Sequence, residues 1–86
     1  MRIVFHKQFT RQYKKLRPKE QKRFKTQRDL FLADPYHQSL NNHPLQGKYQ
    51  GFRSMNVGGD LRVIYTLITN DTAYFVAIDS HSNLYY

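Results

Sequence analysis

Six polar residues bracket the C-terminal half of this 86-residue chain: His43, Arg53, Asn56, Asp60, Arg62 and His81. Histidine titrates near neutral pH and can either take or give a proton. Arginine stays charged and forks onto phosphate oxygens. Cleavage of an RNA phosphodiester by its own 2′-OH asks for such a set. It needs a base for the 2′ proton, an acid for the departing 5′ oxygen, and cations around the extra charge of the phosphorane. Each proton transfer contributes roughly 10²–10⁴-fold. Metal-free cleavage of RNA is therefore chemically open to these residues. Each also has a plainer use: His43 as a solvated loop residue, His81 as a packing partner of Tyr85, Arg62 as cover for a sheet, Asp60 as a turn acid.

Other chemistries are closed. The chain has no cysteine, which removes disulfides, thiolate metal sites and a cysteine nucleophile. The four histidines (His6, His37, His43, His81) lack ligand spacing and a carboxylate cluster, so no metal or other cofactor is expected. Gly58-Gly59 reads as a hairpin tip, and Gly47 and Gly51 are too far apart to cradle a phosphate. No run approaches the eighteen or so apolar residues of a membrane span, and the start of the chain lacks a signal-peptide core. These features predict a soluble, cytoplasmic domain spanning 1–86, with no membrane partner.

The elements that must position the polar set are legible in the pattern. Arg2-Ile3-Val4-Phe5 predicts a first strand. Phe9, Tyr13 and Leu16 fall on one helical face. Pro18 suits the first turn of a second helix, which runs to about Ala33 with Phe24, Leu30 and Phe31 inward, and Asp34-Pro35 ends it. Residues 36–47 read as irregular. Lys48 to Met55 alternates as a strand, Leu61 to Ile68 is a second, and Ala73 to Ile78 a third, with turns at Gly58-Gly59 and Asn70-Asp71. Asp79 to Tyr86 finishes as a short helical turn or an edge. The expected fold is α+β, in the order β-α-α-β-β-β, with a basic helical hairpin packed on a small, mostly antiparallel sheet.

The charge is lopsided. Residues 1–28 hold eleven Lys and Arg against one acid, Glu20, whereas residues 29–86 carry a slight negative excess. A polyanion partner neutralises such self-repulsion, which points to nucleic acid. Lys14, Lys15, Lys22 and Arg23 are the candidate RNA contacts of this segment, with Arg53, Asn56 and Tyr85 from the C-terminal half.

Three stretches carry a family resemblance: His43-Pro44-Leu45-Gln46-Gly47, then Gly51-Phe52-Arg53, then Asp60-Leu61-Arg62-Val63-Ile64-Tyr65, with Ser80-His81-Ser82-Asn83-Leu84-Tyr85 closing the set. Together they resemble the RelE/ParE toxin superfamily, and more closely its YafQ-like branch of mRNA interferases. The resemblance implies a toxin of a type II toxin–antitoxin system that cuts mRNA in the ribosomal A site, against 16S rRNA, and is neutralised by a cognate antitoxin. It implies catalytic roles for His43, His81 and Asp60, a base-contacting role for Tyr85, and, from the YoeB-like branch, phosphate binding by Arg62. His43 is then the general base and His81 the general acid, or the reverse. Three positions depart from the branch: Asn56 stands where a histidine is usual, Ser54 replaces an acid, and Ala77 lies where an arginine is common. Asn56 cannot transfer a proton, so it is expected to bind or to orient a neighbour. Two other readings stay open, a ParE-like, non-catalytic inhibitor of DNA gyrase and a ribosome- or RNA-binding module without chemistry.

Overall fold

The computed structural model describes residues 1–85. Strand β1 (Arg2–Phe5) leads into α1 (Lys7–Lys14) and α2 (Pro18–Ala33), followed by β2 (His43–Pro44), β3 (Arg53–Gly58), β4 (Leu61–Thr69), β5 (Thr72–Ser80) and α3 (His81–Tyr85). The five strands lie in the order β1-β5-β4-β3-β2. Among the described residues, the β1–β5 pair is parallel and the other three are antiparallel. The fold is therefore α+β with a mostly antiparallel sheet.

The hairpin forms where the sequence asks for it. His6 caps α1, its Nδ1 accepting from the Gln8 amide at 2.9 Å. Pro18 opens α2, where a missing N–H costs nothing, and Glu20 folds back to accept from the Arg17 amide at 3.0 Å. That backbone hydrogen bond holds the Glu20 carboxyl below its usual range. Phe9, Phe24 and Phe31 turn inward and are buried against Val63, Tyr65 and Phe75 of the sheet. Alternation along β4 puts Leu61, Val63 and Tyr65 on this face and leaves Arg62 and Ile64 on the other.

The other face is covered by much less. Leu84 of α3 packs on Ile64 and Ala77, with Leu45, Tyr49, Phe52 and Tyr85 around them. A register shift, Ile64 opposite Ala77 and then Tyr65 opposite Phe75, leaves Val76 as an extra residue in β5.

Two expectations need correction. The strand predicted from Lys48 starts only at Arg53, because Gly47 and Gly51 take positive φ values of 67° and 90°. The chain there makes a tight 3-10 turn over Gly47–Tyr49 rather than an extended run. Conversely, the segment read as irregular contains β2, which sets His43 opposite Ser54 and Pro44 opposite Arg53.

Candidate active site

A cleft of about 290 Å³ opens on the α3 face of the sheet, lined by His43, Ser54, Arg62, His81 and Tyr85, with Asn41 and Leu45 at its edge. Four elements deliver the five groups. β2 brings His43, β3 Ser54, β4 Arg62, and the two ends of α3 bring His81 and Tyr85.

His43 is held by the residue before β2. Its Nδ1 donates to the Asn41 carbonyl at 2.7 Å. A carbonyl can only accept, so the neutral ring carries its proton on Nδ1 and keeps the Nε2 lone pair. That is the tautomer of a general base. Asn41 reaches this position because its backbone is left-handed, with φ of 46°, a conformation asparagine tolerates better than most residues. Asn42 then pins the segment, donating from Nδ2 to the Tyr65 hydroxyl at 2.6 Å and to the Pro35 carbonyl at 2.8 Å. Sequence reasoning missed both asparagines; the Asn-Asn pair directly before His43-Pro44, residues that tolerate left-handed turns, was the available signal.

Arg62 is oriented by three oxygens. Its Nη1 donates to Asn56 Oδ1 at 2.9 Å, to the Gly59 carbonyl at 2.9 Å and to the Leu61 carbonyl at 3.1 Å. Among the described residues no carboxylate forms an ion pair with it. One nitrogen is thus anchored and the guanidinium keeps its charge for a ligand. Asn56 is itself fixed, its backbone carbonyl accepting from Gln27 Nε2 of α2 at 3.1 Å. Of the two uses expected for Asn56, orientation of a neighbour matches this arrangement.

His81 begins α3, and its amide donates to the Asp60 carbonyl at 2.8 Å. Its ring lies 4.6 Å from that of Tyr85, which in turn meets Tyr49 edge-on at 5.9 Å. Tyr85 is therefore engaged in packing within the protein while its hydroxyl is buried.

Other expected site residues lie elsewhere. Asp60 reaches the cleft only through the carbonyl that holds His81; the residue is exposed and lines a larger cleft of about 730 Å³ with Lys15 and Arg23. Arg53 shares the opposite sheet face with Tyr65, its register partner, because alternation from Ser54 turns it away from the histidines. There it donates from Nε to Asn42 Oδ1 at 2.7 Å and sits over the Tyr36 ring at 5.4 Å. Lys14, Lys15, Lys22 and Arg23 are all exposed on the hairpin, and none lines the histidine cleft. Arg23 lies across the Gly58-Gly59 turn, so close that a Cβ at position 58 would stand 3.0 Å from its Cδ.

The sequence profile of the YafQ family, described as a bacterial toxin of type II toxin–antitoxin system, matches residues 1–86. The chain belongs to the YafQ toxin family. The fold agrees. A crystal structure of YafQ from an E. coli strain superposes with a TM-score of 0.83 at 24% identity over 100% of both chains. YafQ in an E. coli DinJ–YafQ complex gives 0.80 at 26% identity, again over 100% of both. A YoeB/ParE toxin from Agrobacterium tumefaciens gives 0.78 at 14% identity, over 94% of this chain and 99% of that one. No curated protein matches the chain in sequence. The YafQ-like chain is thus a type II toxin with a RelE-like fold.

Proposed function

We propose that this YafQ-like toxin is a ribosome-dependent mRNA endoribonuclease, cutting message in the A site by metal-free acid–base catalysis. One observation carries the reading: His43, Arg62 and His81, far apart in sequence, line one small cleft. The Nδ1 anchor at Asn41 favours His43 as the base, taking the 2′-OH proton on Nε2. The 2′ oxygen attacks phosphorus and the bond to the 5′ oxygen breaks, leaving a 2′,3′-cyclic phosphate. His81 gives the departing 5′ oxygen its proton. Arg62 faces the phosphorane charge, supplying from β4 the cation missing at Ala77. Asp60 serves by its carbonyl, which fixes the start of α3 and hence His81.

The exposed lysines and arginines of the hairpin suit a polyanion such as 16S rRNA. The E. coli relative is seen in a DinJ–YafQ complex. A cognate antitoxin is accordingly proposed as partner here, an acidic segment that neutralises the hairpin and covers the cleft.

Primer extension on mRNA from a reconstituted translating system tests the reading. Cuts inside the reading frame are expected, and His43→Ala or His81→Ala should each lower them about 10²-fold or more with the fold intact. Growth arrest without cuts would instead favour a gyrase inhibitor. Ribosome binding that survives loss of both histidines, again without cuts, would favour a pure binding module. Naked RNA should be cut poorly, since ribosomal groups complete the site.

A further inference from the structure

Two hydroxyls in the histidine cleft have no hydrogen-bond partner among the described residues, Ser54 Oγ and Tyr85 Oη, and both atoms are buried. Ser54 is only 1% exposed. Leaving a buried hydroxyl unpaired is costly, and native structures rarely do so without a reason. Here the two orphans do not lie in separate places. The residues that carry them line the same cleft, with Arg62 and both histidines.

The charge around them selects the ligand. Among the described residues no carboxylate lines this cleft, whose fixed charge is the Arg62 guanidinium. The larger cleft beyond the Gly58-Gly59 turn is different, because Glu20, Asp60 and Asp79 there offset Lys15, Arg17 and Arg23. A pocket with no carboxylate among the described residues, one oriented guanidinium and two unpaired hydroxyls matches a tetrahedral oxyanion, which accepts and never donates. A volume near 290 Å³ leaves room for a phosphate and part of a sugar, at the small end of ligand sites, which start at roughly 300 Å³.

We infer that the Ser54 and Tyr85 hydroxyls, together with Arg62, form the phosphate subsite that seats the scissile RNA linkage between His43 and His81. This deepens the proposed nuclease reading and rests on it for the identity of the ligand as a phosphodiester. β3 sets Ser54 at the floor, opposite His43 in the β2–β3 register. A phosphate bound there lies beside the base on one side and the start of α3 on the other. The hydroxyls remain unpaired until the ligand arrives, so stability is given up for binding.

That trade defines the test. The purified chain is titrated with inorganic phosphate and with a 2′-deoxy dinucleotide, which cannot cleave itself, while the ring signals of His43 and His81 are followed by NMR. Ser54→Ala should weaken both ligands about three- to tenfold, as should Tyr85→Phe. Thermal unfolding should show Ser54→Ala no less stable than the parent, because an unpaired buried hydroxyl has been removed. A lowered melting temperature with phosphate affinity unchanged would mean that Ser54 is structural, and the inference falls. It falls too if neither probe moves the histidine signals. The two readings separate cleanly. Histidine-dependent cuts with Ser54-independent phosphate binding keep the nuclease and remove the subsite; Ser54-dependent phosphate binding with no cuts does the reverse.

Discussion

Under the helical hairpin, the Phe75 ring meets those of Phe5, Phe9, Phe24, Phe31 and Tyr65, all with centroids within 6.2 Å. Under α3, the sheet offers Ile64 and Ala77 to the buried Leu84 of that helix, and beside them lies a cleft lined by the residues of two unpaired hydroxyls. Both faces belong to the same strands, yet one is saturated with apolar contact and the other is left polar and thinly covered. Aromatic packing of this kind stabilises by roughly 1.5–3 kcal/mol per buried side chain. A small domain gains most of its stability from such a face and can then carry an under-packed one. The division explains how strands β3 and β4 serve a core and a site at once, since successive side chains point to opposite faces.

Breaking the packed face has the largest expected effect. Phe75→Ala removes the hub of the aromatic cluster and should cost about 3–5 kcal/mol, a large share of a small domain's stability. Urea unfolding read by circular dichroism checks it; a loss under about 1 kcal/mol would mean the hairpin face is not the main support.

Leu84→Ala sharpens the contrast from the other side. It should cost less, about 2 kcal/mol at the low end for a leucine, because its surroundings are thin. Its effect should be local: amides of α3 lose hydrogen-exchange protection while those of β4 and β5 keep theirs. The RNA cleavage proposed for this toxin should fall further than the stability loss accounts for, since His81 and Tyr85 ride on α3. Equal loss of protection across the sheet would show the two faces to be one cooperative unit.

The smallest effect lies at the hairpin bend. The Glu20 carboxyl is held below the usual carboxylate range chiefly by the Arg17 amide. A lowered acid stabilises the folded state above its unfolded pKa, and that contribution fades as pH falls through the folded value. Glu20→Gln should therefore lower the melting temperature slightly at neutral pH and not at all in strong acid. A gap between the two proteins that persists in strong acid would assign the effect to something other than charge. Because Glu20 is only half-buried and solvent screens its charge, the difference should be barely resolved, in contrast to Phe75→Ala.

Local chemistry in the sequence determined a good deal of this protein. Pro18 and Asp34-Pro35 set the bounds of α2, apolar spacing chose Phe9, Phe24 and Phe31 for the core, and alternation along β4 separated Arg62 from Leu61, Val63 and Tyr65. The motifs around His43, Arg62 and His81, similar to YafQ, pointed to the family, and the same residue types carry the proposed proton transfer and phosphate binding.

Tertiary structure decided which candidates meet. A period of two tells which residues of one strand share a face, but not which strands pair or in what register. Only the β2–β3 and β3–β4 pairings bring His43, Ser54 and Arg62 together, and the same parity sends Arg53 to the far side. Asp60 was read as an acid and contributes a carbonyl, because backbone hydrogen bonds depend on where the chain returns rather than on the side chain it carries. The unpaired state of Ser54 and Tyr85 was beyond the sequence for the same reason: a hydroxyl is satisfied or orphaned by its neighbours in space, and those were chosen by the packing of α3 on the sheet.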